Sequence, residues 1–131
     1  MQVTEEGRNH IALKSVGQFD NSLYETHRHH RLTSSLFGKI IKRKNYTPCH
    51  RHIVDILYRS VPVTNDMSYG IVNEKVVLKK LQDEFGISAT PSGLFVDLEY
   101  GFLATSPDEL IDTDGLIEIK CLPSVSRAGA Y

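Results

Sequence analysis

The sequence predicts an α+β fold in which N-terminal helices pack on a small mixed β-sheet. Three observations support this. Apolar residues recur at helical spacing from residue 20 to Phe85. Beyond residue 92 the texture changes to short runs rich in Leu, Phe, Val, Ile and Tyr, broken by Gly, Asp and Pro. The 131 residues are 40% hydrophobic and 24% charged, which suits one packed domain. Helices first and an antiparallel group of strands second is the order of an α+β domain, or of a piece of a mixed α/β fold.

The elements follow in order. Residues 1–19 are polar with Gly7 and Gly17 and are expected to be a loose segment, so the domain proper runs over 20–131. A first helix from Asp20 places Leu23, Tyr24 and His27 on one side. Thr33 is an N-cap candidate for a second helix, whose Leu36, Phe37, Ile40 and Ile41 share a stripe. Thr47-Pro48 opens a third, with Ile53, Ile56 and Leu57 apolar. Asp66 to Phe85 predicts a long helix stopped by Gly86, with Ile71, Val77, Leu78, Leu81 and Phe85 facing a core. Residues 92–105 and 115–121 predict strands, with Glu99-Tyr100-Gly101 a turn.

The net charge of −1 hides a partition. Residues 27–65 carry eight Lys/Arg against one Asp, together with five of the six histidines, whereas residues 66–131 are net −6. A basic third could hold a polyanion and an acidic half could hold metal ions, although a solvated mixed surface accounts for charge alone. No apolar run approaches the ~20 residues of a membrane span. Two cysteines make no disulfide framework, and an intracellular (cytoplasmic or nuclear) protein is expected. The spacing of Cys49, His50 and His52 is too compressed for a zinc finger.

Candidate chemistry concentrates in three places. Glu118 and Lys120, two apart in a strand, share a face opposite Ile117, Ile119 and Cys121, and Asp108 could meet Glu118 across the sheet. Two carboxylates and a backbone carbonyl suit Mg²⁺, with Lys120 orienting a water or stabilising phosphate charge. On spacing alone an ordinary surface Glu–Lys pair is the better explanation. Glu74 falls on the apolar stripe of the long helix, where a carboxylate needs a partner or a metal. Gly70, one turn earlier, leaves room beside it. Ser34 and Ser35 at a helix N-terminus, preceded by Arg28 and Arg31, could grip a phosphate, or could simply cap the helix.

Four segments, in order, resemble the YqaJ-like, lambda-exonuclease-like branch of the PD-(D/E)XK nuclease superfamily. Residues 31–40, RLTSSLFGKI, look like its R-I-T-A-S-x-F-G-x-I segment, and residues 67–74, MSYGIVNE, like its M-x-x-G-x-x-x-E helix. Residues 104–108, ATSPD, and 116–121, LIEIKC, look like A-S-P-D-G and I-E-I-K-C-P. The resemblance implies a restriction-endonuclease-type core and a metal-dependent DNA nuclease. Asp108, Glu118 and the Ile119 carbonyl would hold Mg²⁺ or Mn²⁺, and Glu74 would complete the site or hold a second ion. Lys120 would position and help deprotonate the attacking water, and Arg28 and Ser35 would grip a 5′-terminal phosphate. The usual family activity is 5′→3′ digestion of linear duplex DNA, in some members by ring-shaped trimers working with a single-strand annealing protein.

Two departures accompany it. Glu109 stands where the family usually has Gly, and the family's further strand and glutamine-bearing helix have no counterpart after Lys120, so the C-terminal part of the fold is expected to be missing. The alternatives are a nuclease-derived DNA- or protein-binding module and a structure-specific endonuclease on the same fold.

Overall fold

In the computed structural model the structure describes residues 2–58 and 62–123. Its contacts cluster into two units, residues 1–60 with 91–107 and residues 61–90 with 108–131.

The first unit begins where a loose segment is expected, and the expectation fails. Residues 5–14 form helix α1 (Glu5–Lys14), capped by Thr4, whose Oγ1 accepts from the Gly7 N–H at 3.1 Å. Its polar composition hides one anchor: Ile11 is buried among Tyr24, Leu94, Val96 and Ala104. A 3₁₀ turn leads to α2 (Ser22–His29), and Asn21 joins the two helices. The Asn21 side chain donates to the carbonyls of Lys14 and Val16, both at 2.8 Å, and accepts from the Leu23 and Tyr24 N–H groups. One amide thus closes the end of α1 and opens α2.

Strand β1 (Leu32–Thr33) runs directly into α3 (Ser34–Ile41). Thr33 occupies the N-cap position, but its hydroxyl bonds Ser35 Oγ at 3.1 Å rather than a backbone N–H. Helix α4 (His50–Tyr58) starts two residues after Pro48, not at it, and Ile53 is exposed. Strands β3 (Phe95–Val96) and β4 (Leu103–Thr105) pair antiparallel around the expected turn, where Asp97 Oδ1 accepts from the Glu99 and Tyr100 N–H groups. β1 adds to β4 in parallel, giving the sheet order β1-β4-β3.

The contact that organises this unit is a close approach of α1 to the chain entering β3. A Cβ on Gly93 would lie inside contact distance of the Ala12 carbonyl and 2.7 Å from Ser15 Oγ. Ser15, completely buried, accepts from the Leu94 N–H at 2.7 Å. Leu94 is completely buried beside it.

The second unit contains α5 (Asn65–Phe85), β2 (Ala89–Pro91), β5 (Glu109–Ile111) and β6 (Gly115–Ile117), with sheet order β2-β5-β6. Thr64 caps α5, and Gly86 ends it at φ 63°, a left-handed conformation that glycine adopts without strain. The expected core stripe of α5 is only partly realised. Val77, Leu78 and Leu81 are half-buried, whereas Ile71 is 48% and Phe85 69% exposed. The buried residue is Gly70, whose Cα faces Glu74 Oε1 and the Cys121 carbonyl. A Cβ there would meet both at ordinary contact distance. β5 and β6 pair antiparallel, Glu109 with Ile117 and Ile111 with Gly115, joined through residues 112–114, with Asp112 at φ 50°.

Gly93→Ala is expected to lower the melting temperature by about 10 °C or more, because no rotation relieves the clash with a helix carbonyl. Melting within a degree or two of the parent would show that α1 does not approach β3 this closely.

Candidate functional site

The site candidates divide by unit. Glu74, Asp108, Glu118, Ile119 and Lys120 belong to the second unit, and Arg28, Arg31, Ser34 and Ser35 to the first.

In the second unit, the β5–β6 register carried one pair beyond Glu109 and Ile117 sets Asp108 opposite Glu118. The structure supports this placement with a bond from the Ile119 N–H to Asp108 Oδ2 at 2.6 Å. β6 ends at Ile117, short of the strand expected over 115–121, yet the alternation continues past it: Ile119 is buried and Glu118 and Lys120 are exposed. Lys120 Nζ donates to Glu118 Oε1. That bond, together with Asp108 and Glu74 nearby, raises the Lys120 pKa against a smaller lowering by burial, so it is an ammonium at neutral pH.

Glu74 reaches the same locality from α5. Burial holds its pKa above the ordinary carboxylate value, Asp108 and Glu118 raise it further, and Lys120 partly offsets them. The three carboxylates and the lysine therefore lie within electrostatic reach of one another. Glu109, next to Asp108, is also shifted up, by burial first and by Asp108 second, and its Oε2 is buried without a hydrogen-bond partner among the described residues.

The donor set is hard oxygen with a surplus of negative charge, which is the chemistry of a Mg²⁺ or Mn²⁺ site. It is not gathered into a finished cage: among the described residues no three His, Cys, Asp or Glu side chains converge closely enough to hold a metal ion. One oxygen of Glu118 is engaged by Lys120 and one of Asp108 by the Ile119 N–H. The residues fit a divalent cation in kind, and side-chain movement would have to bring three donors together.

In the first unit, Arg31 has an internal task. It is 7% exposed; Nε donates to the Gly101 carbonyl at 3.1 Å, and Nη1 donates to the His27 carbonyl at 2.9 Å and approaches His27 Nδ1 at 3.2 Å. It ties the end of α2 to the β3–β4 turn. Burial, Arg31, His30 and His10 lower the His27 pKa, in that order. Arg28 is half-buried on α2. Ser34 and Ser35 are exposed in the first turn of α3, and Thr105 Oγ1 donates to Ser34 Oγ at 3.5 Å. The sequence places Gly101 in a turn and Thr105 in the ATSPD segment, but assigns no contact to the Gly101 carbonyl or the Thr105 hydroxyl.

This architecture has a counterpart in a solved exonuclease fold. The alkaline exonuclease (LHK-Exo) from Laribacter hongkongensis superposes with a TM-score of 0.62 at 20% sequence identity, over 82% of this chain and 59% of that one. The structure of LHK-Exo in complex with dAMP matches with the same values. The present chain thus spans 59% of the length of these structural relatives. The model of the YqaJ-like viral recombinase domain matches residues 23–129, and the chain belongs to that family. No curated protein matches the sequence.

Two expectations follow. Lowering the pH from 7 to 5 should destabilise the parent: His27 binds its proton more weakly folded than unfolded, so the unfolded state gains protons first as pH falls below about 6.5. His27→Gln should flatten that part of the melting-temperature profile, and an unchanged slope would remove His27 as its source. In EDTA, Glu74→Gln should melt a few degrees above the parent, since it deletes a repelled carboxylate. A lower melting temperature would mean that Glu74 is stabilised by its surroundings.

Proposed function

We propose that this chain is a metal-dependent deoxyribonuclease domain, an exonuclease that digests linear duplex DNA from its 5′ ends by water attack on the backbone phosphorus. The observation that carries the reading is the grouping of Glu74, Asp108 and Glu118 around the ammonium of Lys120 at the end of the β5–β6 pair. Family membership and the exonuclease-like fold support it.

Asp108, Glu118 and Glu74 would hold one or two Mg²⁺ ions, with the Ile119 carbonyl as a further ligand. Such an ion supplies Lewis-acid polarisation of the phosphate and a more acidic water. Lys120, as an ammonium, donates to a phosphate oxygen and stabilises the charge that develops there. Its bond to Glu118 argues for this electrostatic role ahead of base catalysis. The basic stretch from Arg28 to Arg51 provides the charge to hold a DNA backbone, and Arg28, Ser34 and Ser35 are the candidates for a terminal phosphate. A trimeric ring and a strand-annealing partner are further proposals from the family. No described helix is long and apolar enough to cross a membrane.

A second reading, a DNA- or protein-binding module without turnover, is favoured by the carboxylates that do not converge and by the engagement of Glu118 with Lys120.

Linear duplex DNA with 5′-phosphates should be degraded with Mg²⁺ and not with EDTA, while closed circular DNA survives. Glu118→Ala and Lys120→Ala should each slow degradation by about 100-fold or more with the fold retained. Arg28→Ala should lose the preference for a 5′-phosphorylated end. Cutting of the circle would indicate an endonuclease, and metal binding without digestion would indicate the binding module.

A further inference from the structure

The two residues that lead into Asp108 are each held by the first unit. Ser106 Oγ donates to the Gly93 carbonyl at 3.0 Å, and Gln18 Nε2 donates to the Pro107 carbonyl at 3.1 Å. All four residues belong to that unit. Pro107 is buried, so its carbonyl needs a donor from the protein. Gln18 belongs to none of the four family segments.

The backbone at Gln18 is unusual. It sits at φ 47°, directly after Gly17 at φ 94°. Left-handed backbone suits glycine, and a glutamine there is strained. A second glycine would remove the strain but carries no amide. The residue is fixed on both sides: its N–H donates to the Ser15 carbonyl at 3.3 Å, and its carbonyl accepts from the Asn21 N–H at 2.9 Å. The side chain therefore starts from a set point, and the strain is kept where an amide reaches Pro107.

Proline gives that bond its leverage. A residue has two soft backbone dihedrals, and the ring already fixes φ of Pro107. What remains is ψ, the rotation that turns its carbonyl. Gln18 holds the carbonyl and so sets the plane of the Pro107–Asp108 peptide, in which Asp108 Cα lies. One of the rotations that aim the Asp108 carboxylate is thereby removed.

We propose that Gln18 is a positioning residue for Asp108: acting through the Pro107 carbonyl, its amide holds the backbone from which Asp108 reaches a divalent cation. This rests on the reading of Asp108 as a metal ligand. Gln18 itself does not touch the ion, yet loss of a partner that orients a ligand typically costs about 10–100-fold in metal affinity.

The test is a Mn²⁺ titration of the full chain by calorimetry at pH 8 without DNA, with a melting temperature for every variant. Gln18→Met keeps an unbranched neutral side chain without a donor, and should weaken Mn²⁺ binding about tenfold. Gln18→Gly should weaken it equally while melting above Gln18→Met, since glycine accepts the left-handed backbone. Gln18→His, a neutral donor at this pH that tolerates the same backbone, should restore binding to within about twofold of the parent. A merely structural role predicts lower melting temperatures with unchanged Mn²⁺ affinity, and that result overturns the proposal. Binding by Gln18→His as weak as by Gln18→Met overturns it too. Asp108→Asn separates the two readings. If it weakens Mn²⁺ binding and the Gln18 variants do not, the positioning role alone is refuted. If it leaves Mn²⁺ binding unchanged, or the parent binds no Mn²⁺, the ligand reading is refuted and the proposal with it.

Discussion

The first unit depends on one constraint, the absence of a side chain at Gly93. Because the backbone there passes against the Ala12 carbonyl, α1 can lie close enough for Ser15 to satisfy the buried Leu94 N–H. A buried donor left without an acceptor costs about 1–3 kcal/mol, so the serine and the glycine act together. With Leu94 fixed, Val96 and Ala104 fall into the core by alternation, and Ile11 and Tyr24 close over them.

The second unit is governed by unlike requirements. Glu74 is half-buried on α5, one turn beyond Gly70, and lies within electrostatic reach of Asp108 and Glu118. Lys120 lies within electrostatic reach of all three. Partial burial and neighbouring carboxylates both raise the Glu74 pKa, so holding this group charged costs stability.

Much of this was legible in the sequence because it follows from short-range rules. The long helix ended by Gly86, the Glu99–Gly101 turn, the shared face of Glu118 and Lys120, and the helical position of Glu74 all come from spacing and local backbone preference. What escaped depends on partners distant along the chain. Helix α1 looked too polar to pack because a single buried residue, Ile11, anchors it. Arg31 read as a phosphate ligand because its true acceptors are backbone carbonyls, which carry no residue signature. Ile71 and Phe85 fit the helical period, yet α5 is covered over only part of that face. The four family segments survived these local errors because each keeps its order and spacing whatever its neighbours do.

The three residues joining β5 to β6 set which acid stands opposite Glu118. Asp108 and Glu109 are adjacent, and strands alternate, so the present turn presents Asp108 and sends Glu109 to the other face. Gly115, where a Cβ would crowd the Ile111 carbonyl, and Asp112 in its left-handed conformation fix that turn at its present length. With the turn kept at three residues, one residue inserted between Ile111 and Gly115 would move Glu109 opposite Glu118, and one removed would bring Pro107 there. Loop length thus decides which side chain meets Glu118 as firmly as the identity of the acids does.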